Sequence, residues 1–458
     1  MSRTIYKTLD QTPMRIRTGD GVWLHPDDRA PLLDACGGVV VSSLGHCHPR
    51  IADAMARHAG TLAWAHAGSF TSDAAEELAE HLTERAGPDL SHAQFLSGGS
   101  EAMEVAFKVA YQYHCERGEP ARKHFISRRQ SYHGSTLGTL ALSQNPARRG
   151  FFDPILTQTH AVSACNAYRD QRPDEDTATY VARLADELDT LIERLGPDTV
   201  AAFVAEPVVG STNGAVPAVP GYFKAMQEVC RRHGVLLILD DVMSGMGRTG
   251  HLYSHAEDGI TPDIVAIGKG LAAGYQPISG YLIGPHIHDA IRTGTGVLQN
   301  GQTHVNHPYA CAIALEAQKI IEDDDLVAAV NARGAQLRAG LKTLADGHPF
   351  IGDVRGRGLF LGIEFVADKD TKAPLPNGAK HAAALKQAGF DNGLLLYPGS
   401  GTADGTHGCH VLFAPPFIAT TSDIDMLLDR FDGVLKQCHA AMAADVASLK
   451  PAKLQEKV

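Results

Sequence analysis

The stretch Pro262-Asp263-Ile264-Val265-Ala266-Ile267-Gly268-Lys269-Gly270 decides the fold. Four apolar residues in a row, Ile264 to Ile267, have the length and composition of a strand covered on both faces. The chain then passes directly to a lysine held between two glycines. A second apolar run, Val235 to Leu239, leads into Asp240-Asp241-Val242, and Asp240 and Lys269 are 29 residues apart. That separation is the length of one strand–crossover–strand unit of a parallel sheet.

An amine and a carboxylate at neighbouring strand ends meet the demands of pyridoxal phosphate chemistry. The lysine forms a Schiff base with the aldehyde, and the acid keeps the pyridine nitrogen protonated. The plainer alternative is a solvated surface lysine, and the flanking glycines after a buried run argue against it. A nucleotide phosphate loop is excluded. It needs a glycine five residues before the final glycine and a Ser or Thr after the lysine, and those places hold Asp263 and Gly270.

The rest of the chain agrees with a large globular enzyme. Its 458 residues have room for two to three lobes, and 44% hydrophobic with 20% charged residues is a globular balance. The net charge of −11 argues against nucleic acid as a partner, since phosphate backbones need concentrated Lys and Arg. The eight cysteines (Cys36, Cys47, Cys115, Cys165, Cys230, Cys311, Cys409, Cys438) are scattered with no C-x-x-C pair, which suggests reduced thiols. Met1 to Pro13 holds no apolar run of the signal-peptide kind, and Val235 to Leu239 is far too short to span a membrane. The expected location is the cytoplasm, with no membrane partner.

Short strands such as Gly21 to Leu24 and a helix from about Pro49 to His58 open the chain. Between about residues 70 and 325, helical lengths alternate with candidate strands. These are Ala93–Leu96, Lys123–Ile126, Val200–Val204, Val235–Leu239, Ile264–Ile267 and Gly280–Ile283. Such alternation predicts a mostly parallel sheet covered on both faces. A helical region from about Ile313 to Leu344, an alternating strand from Gly358 to Phe365, then a helix, a strand and a last helix to about Ala443 make an α+β lobe. Residues after Lys450 are polar, and a frayed end is expected there.

Ligands of open α/β sheets sit at the carboxyl ends of the strands, so the residues just past each strand test the lysine. After Leu96 comes Ser97-Gly98-Gly99-Ser100-Glu101 and a helical stretch, Ala102 to Tyr113. Two glycines and a hydroxyl at a helix start offer free N–H donors to a phosphate, although an ordinary serine N-cap reads the same way. After the next strand, Tyr132-His133-Gly134-Ser135 sets an aromatic ring beside a glycine turn. Tyr132 is placed to stack on a flat heterocycle; a core tyrosine is the alternative. Glu206-Pro207 comes after the strand ending at Val204. Asp240 and Asp241 come after Leu239, where one or both can be a satisfied strand-end turn. Then comes Lys269.

In this order the chain resembles the class III (omega-type) aminotransferases, a pyridoxal-phosphate family with the aspartate-aminotransferase fold. The resemblance spans nearly the whole chain. It covers Leu44-Gly45-His46-Cys47-His48-Pro49, the Ser97–Glu101 loop, Tyr132-His133-Gly134, Glu206-Pro207, and Asp240-Asp241-Val242 through Gly245-Met246-Gly247-Arg248-Thr249-Gly250. It continues through Lys269, Gly274-Tyr275-Gln276-Pro277, Thr303 with His307-Pro308, and Ala414-Pro415-Pro416. The resemblance implies a large α/β cofactor-binding domain over 61–325 and a small discontinuous domain from 1–60 and 326–458.

It also implies the site. Lys269 carries the Schiff base and Asp240 pairs with the pyridine nitrogen. Tyr132 stacks on one ring face, Val242 packs near the other, and His133 belongs to the same cofactor-binding segment. Gly99 and Ser100 hold the phosphate, Glu206 is a carboxylate behind Asp240, and Thr303 reaches the phosphate of a partner subunit. The active unit is then a homodimer or a dimer of dimers with shared sites. His46 and His48 lack a third ligand at helical spacing, so no metal is expected. Trp64 and Phe70 fall where the family lines the pocket mouth.

Three departures from the family pattern stand out. Asp240-Asp241-Val242-Met243 replaces the common Asp-Glu-Val-Gln, so a frequent contact to the cofactor's phenolic oxygen is lost. Met103 replaces the usual Asn after Glu-Ala. Tyr397, in Leu394-Leu395-Leu396-Tyr397-Pro398-Gly399, stands where amine-active members often place an arginine for the substrate carboxylate. An aromatic, less cationic pocket favours donors whose amine is remote from a carboxylate, or that have none, with pyruvate ahead of 2-oxoglutarate as keto acid acceptor. The alternative is that Arg355 or Arg357 supplies the fork and Tyr397 only packs. The expected activity is therefore transamination between a small amino donor and a keto acid. Two rivals remain at this point: an aminomutase, racemase or decarboxylating relative, told apart by whether a keto acid is consumed, and a non-catalytic binding descendant.

Overall fold

The computed structural model describes residues 3–449. At its centre is a seven-stranded sheet, in the order His92–Leu96, Ser279–Ile283, Ile264–Ile267, Leu236–Asp240, Val200–Ala205, His124–Arg128 and His160–Val162. The strands ending in Asp240 and at Ile267 are direct parallel neighbours, with Asp240 opposite Ala266. Lys269 therefore leaves the sheet one strand over from Asp240, as the 29-residue spacing predicts.

Alternate side chains of these strands enter separate cores, which is why the sequence reads as unbroken apolar runs. Leu237, Leu239, Val265 and Ile267 pack with Leu184, Leu188, Phe223 and Met226 from the helices Thr177–Leu195 and Tyr222–His233. Leu236, Ile238, Ile264 and Ala266 pack on the other face with Val105, Phe107 and Val109 from the helix Gly99–Glu116.

One strand departs from the expected parallel pattern. Ser279–Ile283 runs antiparallel to both its neighbours, Ile264–Ile267 and His92–Leu96. Only about ten residues separate it from Ile267, too few for a crossover helix. The expected helical region from about Ile313 to Leu344 is present and begins earlier, as two helices, Pro308–Asp323 and Leu326–Gly347, that meet where Asp325 takes a left-handed conformation at φ 49°.

Segments from the two chain ends build two further sheets. Leu32–Asp34 pairs in parallel with Leu394–Leu395, closing a four-stranded sheet with Ile16–Asp20 and Trp23–Pro26. A second sheet holds Ile351–Arg357, Phe360–Asp368, Tyr397–Ser400 and Cys409–Phe413. The predicted alternating strand begins at Phe360 and is buried continuously from Phe360 to Val366. It lies between two strands, its faces covered by the terminal helices and by the turn at Gly214, whose carbonyl oxygen closely approaches Gly362. The final helix runs Thr421–Ala447, capped by the Thr420 hydroxyl. The frayed end expected after Lys450 lies outside the described residues. Among the described residues no helix is long and apolar enough to cross a membrane.

Candidate active site

A cleft of about 220 Å³ opens at the carboxyl ends of the central strands, lined by Gly99, Ser100, Tyr132, His133, Gly134, Glu206, Ser211, Asp240, Val242, Met243 and Lys269. Nine of these residues were singled out by sequence, in motifs up to 170 residues apart, from Gly99 to Lys269. The tenth, Met243, marks a departure from the family pattern.

Lys269 begins a single 3-10 turn, Lys269–Leu271, with φ 44°, a strained angle for a side chain with a Cβ. The residue is half-buried, and its ammonium has no hydrogen bond or ion pair among the described residues. Desolvation pushes it below the usual lysine range, while the Asp240 and Glu206 carboxylates act in the opposite direction.

Asp240 is fixed at both oxygens: Oδ2 lies 2.9 Å from His133 Nδ1 and Oδ1 accepts the Val242 N–H at 3.2 Å. His133 is buried, and its backbone N–H donates to the Ser143 hydroxyl at 2.8 Å. Glu206 accepts the N–H groups of Tyr132 at 3.1 Å and Gly210 at 3.2 Å, so it ties the aromatic segment to the turn bearing Ser211. Burial raises its carboxyl, which His133 opposes and Asp240 reinforces. Asp241, next in sequence, points elsewhere. It accepts the Ser254 N–H at 2.9 Å and the hydroxyls of Ser244 and Ser254, and burial pushes it up to about 6.

The phosphate-loop candidates form a cup. Glu101 Oε2 turns back to accept Ser97 N at 3.1 Å and Gly98 N at 3.2 Å, leaving the first N–H groups of the helix Gly99–Glu116 without intrahelical acceptors. Ser100 Oγ accepts the Ser135 N–H at 3.0 Å, which brings the two loops together. Glycine is required at Gly99, where a Cβ would lie 2.9 Å from Val242 Cγ1. It is required again at Gly134, at φ 143° with Ser100 Oγ 2.6 Å from the Cβ position.

These residues suit pyridoxal phosphate. An unpartnered amine, an immobilised carboxylate, an aromatic ring and a cup of free N–H donors surround one small space.

Other predicted residues lie outside this cleft. Trp64 and Phe70 are 42% and 66% exposed, and Trp64 Nε1 donates to the Thr303 carbonyl at 3.1 Å. Thr303 itself is exposed. Tyr397 packs beside Met243 against Val40, Val208, Phe360 and Leu412. Neither alternative arginine is free. Arg355 is bonded to Glu364, Asp353 and the carbonyls of Asn213 and Gly214, and Arg357 to Asp258 and the Ala218 carbonyl. Among the described residues no group of three or more His, Cys, Asp or Glu side chains is placed to hold a metal. The sequence reading missed Ser211, whose only signal is the turn Gly210-Ser211-Thr212-Asn213-Gly214 after a strand.

Residues 5–435 match the family described as aminotransferase class-III. The chain belongs to the class III aminotransferases. It is 40% identical over 438 residues to an aminotransferase of Schizosaccharomyces pombe, covering 95% of each chain. It is 32% identical over 446 residues to the chloroplastic gamma aminobutyrate transaminase 3 of Solanum lycopersicum, covering 94% of this chain and 82% of that one. The crystal structure of the omega transaminase from Pseudomonas jessenii in complex with PMP superposes with a TM-score of 0.88 at 32% identity, covering 94% of each chain. This class III aminotransferase has pyridoxal phosphate as its cofactor and acts on small-molecule amino donors and keto acids.

Proposed function

We propose that this aminotransferase moves an amino group from an amine or omega-amino acid to pyruvate, by a ping-pong sequence of two half-reactions. The observation that carries the chemistry is Lys269, an unpartnered amine whose neutral form is favoured by desolvation, one strand away from a fixed carboxylate. When bound, pyridoxal phosphate supplies an electrophilic carbonyl carbon and a ring that accepts electrons.

The chain's own residues then divide the work. Asp240, held by His133 and by the Val242 N–H, presents its carboxyl group to the cleft, where it would stabilise a protonated ring nitrogen. Gly99 and Ser100 would hold the phosphate, Tyr132 and Val242 would flank the ring, and Glu206 holds Tyr132 in place. Lys269 Nζ, neutral once free, takes a proton from the substrate carbon and returns it on the other side of the reaction.

The donor assignment rests on Tyr397, which fills the late-strand place with a packed aromatic ring, and on Arg355 and Arg357 being held by their own partners. Relatives named for omega-transaminase and gamma-aminobutyrate transaminase activity support it. We further propose 61–325 as the cofactor-binding domain, with 1–60 and 326–458 as the small one. The active unit is a homodimer or dimer of dimers in which the exposed Thr303 meets the partner's phosphate site and Trp64 and Phe70 meet its pocket mouth. The unpaired cysteines suit a reducing compartment such as the cytoplasm.

A panel of amines and omega-amino acids, with pyruvate and 2-oxoglutarate as alternative acceptors, tests this reading. Catalytic efficiency should be higher for an omega-amine with pyruvate than for L-glutamate with 2-oxoglutarate. The reverse preference contradicts it.

A further inference from the structure

A substrate that carries a carboxylate needs a cation to meet it, and the cleft lining contains one basic ammonium, Lys269, which is committed to the chemistry. Arg128, buried behind the cleft, donates to the Glu206 carbonyl and stands over Tyr222 and Phe223. Arg355 and Arg357 are held by their own carboxylates.

Arg148 differs from all of these. It lies in the short helix Pro146–Arg149, is exposed, and its guanidinium has no hydrogen bond or ion pair among the described residues. Its ζ carbon stands 5.4 Å from the centroid of the Tyr132 ring, the aromatic ring that lines the cleft. A guanidinium resting on an aromatic face is oriented by it while its N–H fork stays free for a planar oxyanion.

The backbone beneath Arg148 is anchored on both sides. Asn145 Nδ2 donates to Gln130 Oε1 at 2.8 Å, and Gln130 Nε2 donates to the Gly401 carbonyl at 3.1 Å. The neighbouring Arg149 is consumed in that anchoring, bonded to Asp153 at 2.7 Å, Gln144 at 2.9 Å and the Ala141 carbonyl at 3.1 Å. The nearby loop carboxylate, Asp404, is already satisfied by the N–H groups of Thr406 and His407, each at 2.8 Å, and by His407 Nδ1 at 2.7 Å. Of two adjacent arginines, one braces the segment and the other rests against Tyr132 without a counter-charge among the described residues. The charge of Arg148 also reaches inward. Buried His410 is pushed down to about 3, first by burial and then by Arg355, with Arg148 adding to the effect.

We propose that Arg148 is the specificity residue of the cleft, receiving the carboxylate of an omega-amino acid donor and of the keto acid that replaces it in the second half-reaction. The inference rests on the transaminase reading above and deepens it. Carboxylate-bearing donors are preferred over simple amines through a cation beside Tyr132, which does the work that Tyr397 leaves undone on the late strand.

Butyrate tests it without turnover, because it has the carboxylate and no amine. Calorimetric titration of the holoenzyme with butyrate should give an affinity that Arg148→Gln weakens by about tenfold or more, the loss expected for a charged hydrogen bond, and that Arg148→Lys restores in part. In the donor half-reaction, Arg148→Gln should raise KM for 4-aminobutyrate and β-alanine and leave 1-phenylethylamine unchanged. A wild type that does not bind butyrate, equal butyrate affinity in Arg148→Gln, or an equal loss for 1-phenylethylamine overturns the proposal. If no donor reacts at all, the transaminase reading fails by itself, and the butyrate comparison still decides the role of Arg148.

Discussion

Asp240 ends its strand with one oxygen on His133 Nδ1 and the other on the Val242 N–H, while the side chain of Asp241 is enclosed by Ser244 and Ser254. The alternating direction of side chains along a strand separates two chemically identical neighbours. From sequence alone either could have been the functional acid; a strand-end turn satisfies one as readily as the other. Asp240→Asn keeps the shape and removes the charge. Each pKa unit lost from a protonated ring nitrogen is worth about 1.4 kcal/mol, so single-turnover rates should fall by orders of magnitude while the fold persists. Asp241→Asn should lower the melting temperature, since the amide keeps a single acceptor oxygen for three donors, and leave the chemical step comparatively intact. Near-wild-type turnover in Asp240→Asn with none in folded Asp241→Asn would place the acid one residue later.

At the scale of elements, two loops from different strands meet through one bond, Ser135 N to Ser100 Oγ. Gly134 makes that approach possible at a φ of 143°, with Thr139 Oγ1 2.5 Å and Ser100 Oγ 2.6 Å from where a Cβ would sit. Gly134→Ala should therefore spread the cup and weaken cofactor retention, measured as faster loss of bound pyridoxal phosphate on dialysis. Retention equal to wild type would show that the cup does not depend on this approach. The cup was legible in the sequence because glycines and a hydroxyl at a helix start have a local physical meaning. The parallel central strands were legible for a similar reason, since burial on both faces leaves unbroken apolar runs such as Ile264–Ile267. The reversed direction of Ser279–Ile283 leaves no mark in composition, only in the shortness of its connection. Ser211 and Arg148 were not legible as site residues, because a serine in a glycine turn and an arginine in a polar segment become informative only once distant strands are brought together.

For the whole molecule, a buried histidine contributes to the response to acid. His255 is 5% exposed beside the Tyr253 ring, and burial pushes it down to about 4. Its folded value lies below the ordinary 6.5, so the unfolded chain takes up its proton first as pH falls. This contribution is present in full above about 6.5 and is lost as pH drops toward 4, up to about 3 kcal/mol at the low end. His255→Leu should then lose melting temperature less steeply than wild type between pH 6.5 and 4.5; parallel profiles would remove His255 from the account. Assembly is tested at the same scale. Thr303 and Trp64 sit together at an exposed place, and neither lines their own chain's cleft. A mixed oligomer of Lys269→Ala and Thr303→Ala chains should regain activity that neither homo-oligomer has, because one site per pair is intact. Failure to complement, or a fully active monomer in sedimentation, counts against shared sites.

The central claim is that Lys269 is the residue to which the cofactor is joined. Borohydride reduction of the holoenzyme, with proteolysis and mass spectrometry afterwards, should find the pyridoxyl label on the peptide containing Gly268-Lys269-Gly270. Label on a different lysine, or none on this peptide, would contradict the account.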